Sequence, residues 1–265
     1  MPKREPPPKV ALPYLTGSFH GKDAWRLVGK RLLSTLEVSL LYFLGALLLS
    51  FNSLAGQLIA AALVVGAAVF YQAAKGKAQG AGDVAYGETL YRRDAEGKGN
   101  EGEDPDRCYH WFKGFFAALM GALPFVLAAA VFAVLTGPLT YRLGALPSWT
   151  EGMLDQSEFG DALRYYSQAV PVTAVEVLRV CVRAMVMPMI SVAAKVGDDA
   201  VLLAERLSPL FLLLAPLGYG FGYLLGPDER ARVNGSIRQG VARKKRRESK
   251  ERKRRQASKT PERLI

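Results

Sequence analysis

The chain has 265 residues, of which 50% are hydrophobic and 22% are charged. The hydrophobic residues are gathered into long runs separated by polar connectors, which is typical of a membrane protein and argues against a soluble globular domain. Two cysteines and two histidines are too few for a disulfide framework or a Cys/His metal cluster. The composition therefore favours an integral membrane protein, and it gives no reason to expect a bound cofactor.

The positive charge is concentrated at one end of the chain. The whole sequence has 35 Lys/Arg and 24 Asp/Glu, and residues 228–265 hold 15 of the former and 5 of the latter. Nearly all of the net charge of +11 therefore lies in this tail, directly after an apolar run. Because basic residues beside membrane spans remain on the cytoplasmic side, the tail is predicted to be cytoplasmic.

Four apolar runs are long enough to cross the hydrocarbon core, which takes about 20 residues. Backbone polar groups cannot stay unpaired in lipid, so each run is predicted to be a helix. Only Asn52 and Ser53 separate the first two runs, which predicts a tight helical hairpin. The predicted spans are residues 32–51, 54–74, 111–136 and 207–226.

The basic residues between the spans set their direction. Residues 1–31 carry seven Lys/Arg and residues 75–110 carry six, so both segments are predicted to be cytoplasmic. Residues 137–206 carry only six in a stretch of 70, which places this segment outside the cytoplasm. The prediction is an all-α protein of the cell membrane (inner or plasma), with four spans in two hairpins. Both termini, including the tail 227–265, are cytoplasmic.

Two parts of the chain are predicted to be disordered. Residues 1–13 contain five prolines and no apolar periodicity. In the tail, five consecutive cations at residues 243–247 and four more at 252–255 repel one another. Such blocks stay unfolded or become helical only in contact with anions.

Residues 171–194 are the difficult segment. Glu176, Arg179 and Arg183 fall at helical spacings of three and four and so share one face, while apolar residues fill much of the remainder. One interpretation is an amphipathic helix in the outer interface, with its charges in water. The other is a fifth span whose charged face lines a polar pathway. An odd number of crossings would separate the two basic ends of the chain, which favours the interfacial helix.

Three further features lie inside the predicted spans. Glu37 either extends toward the cytoplasmic surface or forms a proton or cation site facing the bundle. Lys113, among aromatic residues, is predicted to extend its ammonium group to the interface. Glycines at four-residue intervals in the last span (Gly218, Gly222 and Gly226) allow close packing, either within the chain or across a homodimer.

No constellation of catalytic residues is evident. The sequence has no zinc-protease motif, no phosphate-binding loop and no Ser/His/Asp set with plausible spacing. The sequence Cys108-Tyr109-His110 has no second pair of candidate ligands elsewhere, so it is not expected to bind metal. We expect no catalytic, cofactor-binding or metal-binding residues.

The tail is the predicted binding element. Its nearest partner is the anionic lipid of the cytoplasmic leaflet, and RNA or a ribosome is the alternative. No aromatic residue follows Asp228, so the tail cannot stack on bases or read an RNA sequence. The predicted contact residues are Arg243, Lys244, Lys245, Arg246, Arg247, Arg252, Lys253, Arg254 and Arg255.

Three functional hypotheses follow. The first is a non-enzymatic structural or accessory subunit of a membrane assembly, which would contact other membrane proteins or further copies of itself. The second is a small transporter or permease component that uses Glu37 and the face formed by Glu176, Arg179 and Arg183. The third is an insertase-like factor whose tail docks ribosomes. The physiological process and any transported substrate are not encoded in a recognisable pattern.

Overall fold

A computed structural model describes residues 9–98, 104–137 and 173–257, and all regular structure within them is helical. Half of the predicted extracytoplasmic segment, residues 138–172, lies outside the described residues, as do 1–8, 99–103 and 258–265. A short 3-10 helix, Pro105–Arg107, precedes α3. The α-helices are α1 (Lys22–Leu48), α2 (Leu54–Ala95), α3 (Lys113–Leu135), α4 (Ala174–Met185), α5 (Met187–Ala193), α6 (Asp198–Arg206), α7 (Ser208–Leu224) and α8 (Gly226–Ala257).

The first two helices extend beyond the predicted spans. Helix α1 begins ten residues before the predicted start at residue 32, and α2 continues to Ala95 instead of ending at residue 74. The first 21 residues of segment 75–110, which was predicted to be a cytoplasmic loop, are therefore helical. Val84 and Leu90 are almost completely buried in this part of α2. Tertiary packing thus stabilises a helix whose glycines and charges the sequence alone assigned to a loop.

The later spans are more complicated than predicted. Helices α1, α2 and α3 are each long and apolar enough to cross a membrane. Helix α7 meets this condition only together with α6, from which it is bent by 53°. Pro209 follows this break and has no N–H to donate to the preceding turn, which favours a new helix at that point. The described residues therefore contain three candidate spans, or four if the bent pair counts as one.

The predicted helix 171–194 is divided in two. Helix α4 begins with a capping box, in which Glu176 N–H donates to the Thr173 hydroxyl and Thr173 N–H donates to the Glu176 carboxylate. It ends before Val186, and α5 follows with Pro188 in its first turn. Proline fits a first helical turn but breaks the interior, so one continuous helix was wrong here.

The basic tail is helical as far as Ala257, so the prediction of disorder is wrong for most of its length. Asp228 and Glu229 lie in the first turn of α8, where acidic side chains favour a helix. Glu248 lies four residues before Arg252, in the favourable order for a charge pair on a helix surface. Tertiary contacts at the start of α8, described below, supply the folded turns from which the helix propagates.

Contacts between residues divide the chain into two compact units. The first contains the described residues of Met1–Val28, Tyr71–Ala118 and Leu217–Ile265, and the second contains those of Gly29–Phe70 and Leu119–Pro216. Helices α1, α2, α3 and α7 each contribute residues to both units. In the second unit, α3 to α7 form one apolar core around Phe132, Val186 and Leu212.

Glycines bring α2 and α7 into backbone contact in the first unit. Gly222 lies against the backbone of Ala73, and Gly76 lies against the carbonyl of Tyr219. Gly226 meets Gly80 one turn further along both helices. Two of the predicted packing glycines, Gly222 and Gly226, therefore make contacts within the chain, while the third, Gly218, is buried. Small residues allow this approach because a Cβ atom would overlap the facing backbone.

We expect Gly76→Ala to destabilise the protein and Gly82→Ala to stabilise it modestly. A Cβ at position 76 would collide with the Tyr219 carbonyl, whereas nothing lies within 4 Å of one at position 82. Alanine at an open helical site contributes roughly 0.5–1 kcal/mol over glycine. Thermal unfolding in detergent measures both changes. Equal stability of the two variants would contradict the close contact of α2 with α7.

Candidate functional site

A buried lysine lies where several elements of the first unit meet. Lys113 starts α3, and its side chain is completely buried. Its ammonium group lies 2.8 Å from the Asp23 carboxylate on α1 and 3.2 Å from the Asp83 carboxylate on α2. A buried charge is tolerated only when it is paired and hydrogen-bonded, so these two carboxylates are required partners.

Three backbone carbonyls complete the surroundings of this ammonium group. It donates to the carbonyls of Asp106 at 3.0 Å, Arg107 at 3.2 Å and Cys108 at 3.4 Å. We call Lys113, its two carboxylates and these carbonyls the Lys113 cage. The cage ties the connector before α3 to the starts of α1 and α3 and to the middle of α2. The prediction that Lys113 extends to a membrane interface was therefore wrong, because its charge is neutralised inside the protein.

The Asp83 carboxylate of the cage has further hydrogen-bond partners. Asp83 accepts hydrogen bonds from the Tyr223 hydroxyl at 2.6 Å and from the Gln79 amide at 2.8 Å. Tyr223 in turn stacks on Tyr109, with ring centroids 5.2 Å apart. Asp83 therefore has three polar partners, an ammonium, a hydroxyl and an amide, and two of them tie α3 and α7 to α2.

The connector before α3 has several polar contacts of its own. The Ser18 hydroxyl donates to Asp106 at 2.6 Å, and this hydrogen bond is the main reason why the pKa of Asp106 lies below its ordinary value. Burial raises the pKa of the Tyr109 phenol to about 12. Partial burial lowers the pKa of His110, and the nearby positive charges of His20 and Lys113 lower it further.

The start of α8 is clamped to α2. The Glu88 carboxylate is 3% exposed and accepts from Arg230 Nε and Asn234 Nδ2, both at 2.8 Å. The N-terminal segment joins the same place, because Val10 N–H donates to the carbonyl of Ala231 at 3.0 Å. We call these contacts the arm clamp, and residues 235–257 the basic arm.

Most of the described side chains of the basic arm are exposed. Every described side chain from Gly240 to Arg254 is exposed, which includes all but one of the predicted tail contact residues. The side chain of Arg255 lies outside the described residues. Five consecutive cations at positions 243–247 are separated by about 100° each, so they point to all sides of the helix.

The second unit contains another buried carboxylate. Glu205 on α6 is 1% exposed and lies 2.6 Å from Arg183 Nε and 3.4 Å from Arg179 Nε. The Thr136 hydroxyl donates to its other oxygen at 2.9 Å. The prediction that the charges of both arginines lie in water is wrong, because both are paired with buried Glu205. They turn inward because Glu205 needs cationic partners, an interaction that no local pattern indicates.

The four candidate polar residues do not meet in one site. Glu176 is exposed at the N-terminal cap of α4, while Arg179 and Arg183 bind Glu205. The outer face of α4 carries exposed valines, Val177 and Val180. Glu37 lies elsewhere in the second unit, in an apolar groove lined by residues of α1 and α2. The single charged face expected from the sequence is thus divided between a helix cap and a buried ion cluster.

Sequence reasoning missed the residues on which both units depend. Asp83 and Glu88 lay in a predicted loop, and Glu205 lay at the end of a predicted extracytoplasmic segment. The only available signal was an isolated acid among apolar neighbours, for example Glu205 in the stretch Val201–Arg206. That signal identifies a buried acid and does not identify its distant partners.

Among the residues that the structure describes, no group of three or more His, Cys, Asp or Glu side chains is placed to hold a metal ion. The chain matches no family of known proteins, and no curated protein or solved structure is detectably similar to it.

We expect Lys113→Met to lower the free energy of unfolding by about 3–5 kcal/mol, because it leaves Asp83 and Asp23 without their cation. The matched control is Lys77→Met, which breaks a partly exposed pair with Glu229 and should cost less than about 1 kcal/mol. Denaturant unfolding in detergent measures both. Adding Asp83→Asn to Lys113→Met should recover part of the loss, since it removes one unpaired charge. Similar losses for the two single variants would contradict the cage.

We expect the stability of the protein to fall as the pH drops below 6.5. The pKa of His110 is lower in the folded state than the ordinary 6.5, so the unfolded chain takes up this proton first. The contribution of His110 is complete above pH 6.5 and is lost as the pH falls through its folded pKa. Unfolding measured between pH 7 and pH 5 tests this dependence, with His110→Gln as the control that should reduce the slope. An NMR midpoint for His110 above 6.5 would contradict it.

Proposed function

We propose that this chain is a non-enzymatic, four-span membrane scaffold, an accessory subunit that holds a basic helical arm at a fixed place on the cytoplasmic side. In this proposal α1, α2 and α3 are three of the spans, and the bent pair α6–α7 is the fourth. The observation that supports this proposal most directly is the arm clamp, in which buried Glu88 holds the start of α8 through Arg230 and Asn234.

The contacts of the N-terminal segment support an even number of crossings. Val10 is hydrogen-bonded to Ala231, and Lys9 pairs with Asp228 at 3.0 Å. These bonds join the segment before α1 to the helix after α7, so both lie on the same side of any membrane between them. Because both segments are rich in Lys and Arg, that side is the cytoplasm in this proposal.

The length of α2 supports a folded region outside the bilayer. Its 42 residues extend about 63 Å, roughly twice the thickness of the hydrocarbon core. The uncharged part ends at Ala74, and Lys75 and Lys77 follow. The remaining residues to Ala95 include Asp83 and Glu88, which hold the Lys113 cage and the arm clamp. We propose that this half of α2 is the cytoplasmic support of the arm.

The two ion clusters support a structural role over transport. Asp83 is engaged by an ammonium, a hydroxyl and an amide, and Glu205 is engaged by two guanidinium groups and a hydroxyl. A polar transport pathway would need Glu37 to face the same space as Arg179 and Arg183. Glu37 instead lines an apolar groove of α1 and α2. Removing one member of such a pair would leave a buried charge without its partner, so the pairs favour a fixed arrangement of helices.

Reporter fusions test the proposed arrangement. A fluorescent protein that folds only in the cytoplasm should be active when fused after Ile265, because four crossings return the chain to its starting side. The same reporter fused to a chain truncated after Gly137 should be inactive, since three spans have then been crossed. Activity reversed between the two fusions, or activity in both, would reject the four-span scaffold.

A further inference from the structure

We infer that the basic arm binds double-helical nucleic acid through its phosphate backbone, and that the bilayer crossed by the protein is not the arm's partner. This inference rests on the proposed function, because it takes the arm to be fixed on the cytoplasmic side. It concerns the direction in which the arm points and the distribution of its charge.

The direction of the arm follows from its contacts with α2. Along α2, Ala73, Gly80 and Glu88 meet successively later residues of α7 and α8, namely Gly222, Gly226 and Asn234. The two helical segments therefore run side by side in the same direction. As α2 leaves the membrane after Ala74, the start of α8 leaves with it.

The distance from the bilayer follows from helix geometry. Glu88 lies 14 residues beyond Ala74, which is about 21 Å along α2. Arg243 lies 9 residues beyond Asn234, the partner of Glu88, which adds about 14 Å along α8. Measured along the helices, the first of the five consecutive cations thus lies roughly 35 Å beyond Ala74, where the proposed span ends. Since charges in physiological salt are screened over about 8 Å, the attraction of anionic head groups does not reach it.

The distribution of charge also disfavours a membrane surface. A helix that lies in the interface has one apolar face and one charged face. Among the described side chains of the arm, large exposed aliphatic residues occur only near the clamp, at Ile237 and Val241, and the cations that follow point to all sides. A flat anionic surface neutralises one side of such a helix and leaves the others unpaired. Phosphates on two flanking strands neutralise more of them.

Other polyanions and other partners fit the arm less well. Helix α8 has 13 Lys/Arg and 4 Asp/Glu, so pairing with the arm of a second copy would bring like charges together. Single-stranded nucleic acid is bound by stacking on aromatic side chains, and α8 contains none. A helix with its side chains is about 10–12 Å across, the width of a B-form major groove. The geometry therefore selects a double helix, recognised by its backbone and not by its sequence.

The test uses the full-length protein in nanodiscs, with one fluorophore attached through Ser249→Cys in a Cys181→Ser background. Cys181 is exposed and is removed, whereas the buried Cys108 should not react. Labelled nanodiscs are titrated with a 20-base-pair RNA duplex, the equivalent DNA duplex and a single strand of the same length. Two lipid compositions are compared, pure phosphatidylcholine and a mixture with phosphatidylserine, each containing spin-labelled lipid that quenches a fluorophore at the bilayer surface.

We expect the DNA duplex, whose major groove admits a helix, to bind at least about tenfold more tightly than the single strand. DNA duplexes of different sequence should bind equally. Each lost phosphate contact lowers the slope of log affinity against log salt by about 0.9. Arg243→Gln, Lys244→Gln and Lys245→Gln together should therefore lower the slope by up to about 3. The control Lys195→Gln, an exposed cation outside α8, should leave it unchanged. The titrations with the RNA and DNA duplexes identify which duplex the basic arm prefers.

The measurements in the two lipid compositions test whether the basic arm contacts the bilayer. Spin-labelled lipid should not quench position 249 in either composition. The variant Glu88→Gln, which weakens the clamp but keeps every cation, should permit quenching in the phosphatidylserine mixture. Quenching of the unmodified arm, or tighter binding to the single strand, would overturn the inference and leave the scaffold standing. Cytoplasmic reporter activity lost from the C-terminus would reject the scaffold itself.

Discussion

A single buried ammonium group organises the first unit. Lys113 has no exposed surface, and five oxygen atoms from three parts of the chain surround its nitrogen within 3.4 Å. An ammonium has three N–H groups, so the five oxygens share three hydrogen-bond donors. The connector before α3 has little regular structure of its own, and its hydrogen bonds to the Lys113 ammonium hold it in place.

The same unit also fixes the direction of α8. Glycine contacts hold α2 and α7 at backbone distance, and Glu88 holds the start of α8. A chain of like charges would otherwise repel itself into disorder, because cations three and four residues apart destabilise a helix. The clamp supplies the first turns, and propagation from an existing turn is far less costly than nucleation. A basic tail thereby becomes an arm with an orientation.

The second unit also contains a buried charge held by partners of opposite sign, but here the buried charge is negative. Glu205 is the buried acid, and Arg179 and Arg183 are its partners. The ion cluster draws the cationic side of α4 inward, so Val177 and Val180 are left on its outer side. Apolar outer surfaces suit helices surrounded by lipid. The two clusters differ in composition, yet each places one buried charge among helices that are separated in the sequence.

The sequence by itself determined the helical class, the positions of the apolar runs and the concentration of charge in the tail, because these depend on local composition and on the backbone's need for hydrogen bonds in lipid. Only the tertiary structure decided that Lys113 is buried, that α2 continues to Ala95 and that the tail is helical. Each of these depends on partners more than 50 residues away, such as Asp23 for Lys113 and Glu88 for Arg230. Local patterns carry no information about such pairs, since the energy that fixes them arises only when distant charges are buried together.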